Sequence, residues 1–177
     1  MKLKNIISYF KKRDTLQRAS DAWQKSEFKL AEELYYDVLK MDENSFEASL
    51  WLGILFHQNN KYEQAIEHLE NAKSLRPSDY RAYFTLGLIF TERNTSDLAL
   101  SNFQQVLEKL KKNQVSNVDE YFNTKFDVYY NIAIIHMNIS EFGKAIDYAN
   151  KALSIYPKHI EAEKLKMVAY QLLKKEN

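Results

Sequence analysis

A chain of 177 residues with 45% hydrophobic and 28% charged side chains can build one sizeable core or a short array of repeated units. Three Gly and two Pro exclude collagen-like and loop-dominated chains, and the lack of cysteine excludes disulfides and thiolate metal sites while permitting a cytoplasmic location. A net charge of +1 makes no global case for nucleic-acid binding, and no uninterrupted apolar run reaches the ~18 residues a membrane span needs.

The charge is unevenly spread. Residues 1–30 sum to +5, residues 31–157 to −6 and residues 158–177 to +2. Residues 1–11 read as an amphipathic extension, with Leu3, Ile6, Ile7 and Phe10 on one side of a helix and Lys2, Lys4, Lys11 and Lys12 opposite. The apolar part is too short for a signal peptide and lacks a small-residue cleavage site. The extension is expected to continue into the next helix and to pack as a cap over the first unit. Filling the chain's own groove and contact with an anionic membrane surface are the alternatives, and so short a patch would bind a membrane weakly.

Helical periodicity then predicts helices near 12–25 and 28–41, 45–58 and 62–75, 80–92 and 96–111, 117–138 and 142–156, and about 158–174. Pro77 and Pro157 close two of the pairs, because proline restricts the residue before it to non-helical geometry. The stretch from Gln114 to Val118 is read as a turn, with the preceding helix running on toward Lys112 and Ser116 and Asp119 capping the next. That gives a lengthened helix pair projecting from one edge. The last helix is expected to be a polar lid, with Ile160, Leu165, Met167, Val168 and Leu172 inward and lysines outward.

The helices are copies of one unit. Ala31, Ala65, Ala99 and Ala145 are spaced by 34, 34 and 46 residues. Leu52-Gly53, Leu86-Gly87 and Ile132-Ala133 keep the same register, followed by Phe56, Phe90 and His136. Gly inside a helix costs about 0.5–1 kcal/mol against Ala, so its presence twice implies that another helix crosses closely there.

These columns resemble the tetratricopeptide repeat family, whose 34-residue unit is a helix-turn-helix with Leu-Gly and an aromatic in the first helix, an Ala in the second and a closing Pro. The resemblance covers about residues 12–157. It implies an all-α fold: a right-handed superhelical array (α-solenoid) of antiparallel helix pairs, about four units plus a C-terminal capping helix. One domain over 1–177 is expected, with the extension at 1–11, units at about 12–45, 46–79, 80–125 (with the insertion) and 126–159, and the cap at 160–177.

The function expected from the resemblance is a non-catalytic scaffold or adaptor that binds a protein or peptide partner, such as an amphipathic helix, in its concave groove. The register assigns to that groove Leu16, Trp23, Leu50, Ile54, His57, Arg81, Phe84, Leu88, Asp127, Tyr130 and Ile134. Family members that hold acidic chaperone C-termini share a Lys/Asn/Lys/Arg clamp. Here the equivalent places hold Leu16, Ser20, Trp51, Arg81 and Thr85, and a carboxylate there loses charge-assisted bonds worth about 1.5–3 kcal/mol each. No metal-ligand spacing among His57, His68, His136 and His159, no phosphate-binding Gly loop and no nucleophile motif is present, so neither a catalytic site nor a cofactor is expected. A peripheral membrane or assembly factor acting as a homo-oligomer is the alternative function.

Overall fold

The computed structural model describes residues 2–110 and 117–176. The described residues form nine α-helices and no strand: α1 (Lys2–Gln24), α2 (Phe28–Met41), α3 (Phe46–Gln58), α4 (Tyr62–Leu75), α5 (Tyr80–Glu92), α6 (Ser96–Lys109), α7 (Val118–Asn138), α8 (Phe142–Leu153) and α9 (Ile160–Glu176). They fall into two compact bodies, Met1–Thr85 and Leu86–Asn177. In the first, α1 packs on α2, α2 on α3 and α3 on α4; in the second, α6 packs on α7, α7 on α8, and α9 on both α7 and α8.

Each pair closes at the expected small residues. Ala31, Ala65, Ala99 and Ala145 have no exposed surface. A Cβ on Gly53 would stand 2.5 Å from Leu69 Cγ and 3.2 Å from the Ala65 carbonyl, and one on Gly87 would stand 2.7 Å from the Phe103 ring. Gly143, in the first turn of α8, faces open space instead.

The turn inside each pair is equally regular. Ser26, Asn60, Asn94 and Ser140 adopt left-handed backbone at φ 60, 57, 56 and 61°, each five residues before its column alanine. Asn60 N–H donates to the His57 carbonyl and Lys61 N–H to the Phe56 carbonyl, both at 2.9 Å. This is a Schellman closure, and the same bonds recur at Ser26–Glu27, Asn94–Thr95 and Ser140–Glu141. Two serines therefore occupy a conformation that a side chain disfavours by about 1 kcal/mol.

Above the turn in two of the four pairs, the helices share a ring stack whose chemistry is exchanged between copies. Phe56 lies on His68 with centroids 5.5 Å apart, and His136 lies on Tyr148 at 5.5 Å. His136 is a packed residue, as its column position suggests: it is buried, and its Nδ1 lies 2.7 Å from Glu141 Oε2 in the following turn.

The insertion is built differently from expectation. The helix α6 has 14 residues, the same length as α2 and α4, and ends at Lys109, while α7 has 21 against 13 in α3 and α5. Only one member of the pair is lengthened, by the turns that precede Phe126. The predicted cap Ser116 and most of the Gln114–Val118 turn lie outside the described residues; the cap observed on α7 is Asn117, whose side chain accepts from Asp119 N–H.

Both ends also depart from expectation. Ile6, Ile7 and Phe10 do not cap the first unit: α1 is one continuous helix, and these residues stay between 50% and 59% exposed. On α9, Ala162 and Ala169 are buried, whereas Ile160, Met167, Val168 and Tyr170 are exposed. The reason lies in the register. Met167 and Tyr170 stand 34 residues after Ala133 and His136, positions that the second helix covers in the preceding pair, and among the described residues no helix covers them on α9. The exposed surface of α9 therefore mixes these apolar side chains with Lys164, Gln171, Lys174 and Lys175, and is not the purely polar lid expected.

The three glycines should respond with opposite signs. Gly53→Ala and Gly87→Ala are expected to cost about 1–3 kcal/mol through overpacking, and Gly143→Ala to add about 0.5–1 kcal/mol from helix propensity. Ser26→Gly and Ser140→Gly are expected to stabilise by up to about 1 kcal/mol by relieving left-handed backbone. Urea unfolding monitored by circular dichroism measures all five; a destabilised Gly143→Ala or a neutral Gly53→Ala contradicts the packing described.

Candidate functional site

In the first body, the first-helix faces of α1 and α3 meet over the second helix α2. On α1, Leu16, Gln17 and Ser20 fall three, four and seven residues after Arg13 and line one stripe. With Glu47 and Trp51 of α3 and Tyr35 of α2 they enclose a cleft of about 260 Å³. Its aromatic wall is held rigidly: Tyr35 stacks on Trp51 at 6.5 Å and 11°, Trp51 meets Trp23 at 5.0 Å, and Trp23 meets Phe28 edge-on at 5.4 Å. Burial pushes the Tyr35 phenol up to about 12, so it stays neutral under ordinary conditions.

The predicted groove residues of this body separate into three groups. Leu16 lines the cleft, and Trp23 supports its wall. Ile54, His57 and Phe84 are half-buried along the same helices. Leu50 has no exposed surface and belongs to the core, so it cannot present itself to a partner. Tyr35 was not among the predicted groove residues because second-helix positions read as packing; Arg13 lies a turn before the first predicted groove position, and Gln17 is the polar neighbour that follows that position.

Arg81 has a structural task at the start of α5. Its Nε and one terminal nitrogen bond both oxygens of Asp79, at 3.0 and 2.7 Å, while its backbone N–H donates to Oδ1 at 3.0 Å. The guanidinium lies 5.5 Å from the Phe46 ring centroid, and Arg76 covers that ring at 4.0 Å while bonding Glu47 at 2.9 Å. Burial pushes the Asp79 carboxyl up, but the Arg81 hydrogen bonds, with the charges of Arg81 and Arg76, outweigh it and hold the group below the ordinary carboxylate value. Arg81, expected in the groove, is thus engaged with its own loop, and Glu47 of α3 is paired with Arg76.

In the second body, Tyr130 stacks on Phe126 at 5.9 Å and 11°, and His159 sits 4.5 Å from Phe126 and 5.6 Å from Tyr130. Tyr156 closes the cluster at 5.1 Å from Phe126, and its hydroxyl donates to Asn123. Asp127 retains access to solvent, yet the bulk around it raises its carboxyl pKa, with His159 acting in the opposite sense. Burial, then the charge of Glu161, raises the Tyr130 phenol pKa. His159 also receives the Ala162 N–H on Nδ1 at 3.3 Å, capping α9. Leu88 and Ile134 are half-buried on their helices.

The repeat geometry has its counterpart in known proteins. The tetratricopeptide repeat model matches residues 16–79 and 58–113, and a second model of the same repeat matches 126–159. The chain belongs to the tetratricopeptide repeat family. The chain is 22% identical over 167 residues to the BBSome complex member BBS4 of Bos taurus, covering 82% of this chain and 32% of that protein. It is 28% identical over 110 residues to the peroxisomal targeting signal receptor of Saccharomyces cerevisiae, covering 62% of this chain and 16% of that one. It therefore spans at most about a third of the length of these relatives. Among solved structures, MamA superposes with a TM-score of 0.77 at 24% identity, covering 92% of this chain and 82% of MamA. The PilF protein of Pseudomonas aeruginosa gives 0.72 at 16% identity, covering 96% and 70%. At these identities the likeness establishes the shared fold. No described helix is long and apolar enough to cross a membrane.

The Asp79–Arg81 clamp makes stability depend on pH in a defined direction. A carboxyl held below its ordinary value contributes stability above that value and loses it as the pH falls through the lower folded one. Asp79→Asn is expected to lower unfolding free energy at neutral pH by about 1–3 kcal/mol. The deficit should shrink below about pH 4, where the wild-type carboxylate also takes up its proton. Urea titrations of both proteins at a series of pH values measure this; a deficit independent of pH would remove the charge from the explanation.

Proposed function

We propose that this chain is a non-catalytic interaction scaffold that holds a segment of a partner protein on its first-helix faces, with the cleft at Leu16, Tyr35 and Trp51 receiving that segment's anchor side chain. The cleft is the observation that carries this reading. Its volume of about 260 Å³ is below the ~300–1,000 Å³ of ordinary small-molecule sites and suits a single bulky side chain. Two rings form its wall, and rings held in place by neighbours lose little entropy when they bind.

The rim carries both signs, with Arg13 and Glu47 flanking Gln17 and Ser20. That mixture suits an apolar residue on an amphipathic helix or extended segment better than an acidic terminus. Leu16, Ser20 and Trp51 supply no ammonium group, and Arg81 already spends its fork on Asp79. The near-neutral net charge gives no support to a nucleic-acid ligand. The relatives include a targeting-signal receptor and a complex member, roles that a peptide-holding array serves.

Both tryptophans of the chain belong to this wall, so intrinsic fluorescence reports on it directly. A peptide identified by crosslinking through a photoreactive group at Gln17 is expected to shift tryptophan emission on titration. Ser20→Arg, which fills the cleft from its edge, should weaken that peptide by about tenfold or more while leaving the melting temperature in place. Unchanged affinity in a folded Ser20→Arg protein would move the binding site elsewhere.

A further inference from the structure

The helix α1 carries two faces that cannot serve the same neighbour. Its buried positions, Thr15, Ala19 and Ala22, pack toward the first pair. At 100° per residue, Ile6, Ile7 and Phe10 lie roughly 140° around the helix from that face. Since α1 runs unbroken from Lys2 to Gln24, its rigidity keeps these residues turned away from the repeat, which accounts for their exposure of 50%, 59% and 59%. Tyr9, 57% exposed, stands edge-on to Phe10 at 5.7 Å.

The charges flanking this stripe are of one sign. Residues 1–13 contain Lys2, Lys4, Lys11, Lys12 and Arg13 and no acid. Lys11 falls roughly 40° beyond Ile7 and Arg13 roughly 20° short of Ile6, so a cation borders the stripe on each side. Lys12 points to the repeat and bonds Asp42 at 2.7 Å, anchoring this part of α1 to the α2–α3 turn. Lys11 also lies near Asp37 of α2, whose carboxyl is held low first by Lys40 and in lesser part by Lys11. Asp14 is the first acid in the chain and follows the stripe directly.

We propose that the first turns of α1 bind an anionic lipid surface, with Ile6, Ile7 and Phe10 entering the headgroup–acyl boundary and Lys11 and Arg13 meeting lipid phosphates. Charge complementarity selects this occupant: residues 1–13 hold five cations and no acid, a cation borders the stripe on each side, and the in-line acid Asp14 marks its end one turn beyond Phe10, which matches a surface of negative charge. Tyr and Phe side by side are the residues that favour the membrane–water interface. An apolar stripe of about two turns gives only weak, reversible binding alone, and the basic cluster supplies the second signal that makes attachment stable. The site is separate from the Trp51 cleft in all but Arg13, so either reading can fail without the other.

Co-sedimentation of the full chain with vesicles tests this. Phosphatidylcholine vesicles containing about a third phosphatidylserine are expected to bind the protein at least about tenfold more strongly than phosphatidylcholine alone. Binding should be lost at about 0.5 M salt, where the screening length falls to a few ångströms. Ile6→Ser with Phe10→Ser, both exposed and therefore tolerated by the fold, should abolish it with an unchanged melting temperature. Equal binding to both vesicle types, no binding to either, or undiminished binding of the double variant would each overturn the proposal. So would sedimentation-velocity evidence that the stripe joins two copies of the chain, with the double variant monomeric and neither protein on vesicles.

Discussion

The close crossing of two helices within each pair is the constraint on which the rest of this molecule depends. At Gly53 the neighbouring helix comes so near that a single added carbon would overlap Leu69, and at Gly87 it would overlap Phe103. The alanine column completes the crossing from the second helix, wholly excluded from solvent in all four copies. Helix axes brought this close bury apolar area that no isolated helix could, and burial of that kind is the main favourable contribution to folding. Replacing the small residues would not merely weaken a contact; it would push the helices apart and alter the angle at which each first helix presents its outer face.

Close crossing demands a sharp reversal of the chain, and the turns supply it at one conserved geometry within the molecule. A left-handed residue five positions before each alanine, closed by paired backbone bonds, fixes how the second helix returns. The exchange of Phe56 over His68 for His136 over Tyr148 shows what this scaffold leaves open. Where two flat rings meet at that height, either helix can carry the imidazole, and the other two pairs fill the same place with Ala22 and Leu34 or Phe90 and Asn102. In the second case the buried His136 gains Glu141 as a partner from the turn itself, so its polar atom is not left without a hydrogen bond.

Function is assigned to what this frame leaves uncommitted. Glu47 and Arg81 look like groove charges along the chain, but both are drawn into the α4–α5 loop, where Phe46 is held beneath Arg76 and Arg81. Arg81 is thereby taken out of the groove, while Glu47 still borders the cleft walled by Tyr35 and Trp51, its carboxylate shared with Arg76. The Phe126–Tyr130–His159 cluster is similarly engaged with its own α9 junction: His159 is at once a ring in the stack and the cap of α9.

The repeat, the helix pairs and the residues at each crossing were legible in the sequence, because periodicity within a helix and the size of a side chain are local properties copied from unit to unit. Leu16 could be placed on its stripe of α1 for the same reason. Whether a stripe meets a neighbour was decided only by tertiary structure. Leu16 and Leu50 look alike in the repeat, yet one borders a cleft and the other is sealed in the core. Ile6 and Phe10 read as a cap until the continuity of α1 fixes their phase relative to Ala19. Met167 and Val168 read as inward-facing, yet both are exposed on α9, across which no second helix lies among the described residues. Helical phase says which residues share a side; what lies against that side depends on contacts between segments distant in sequence, and no local pattern encodes them.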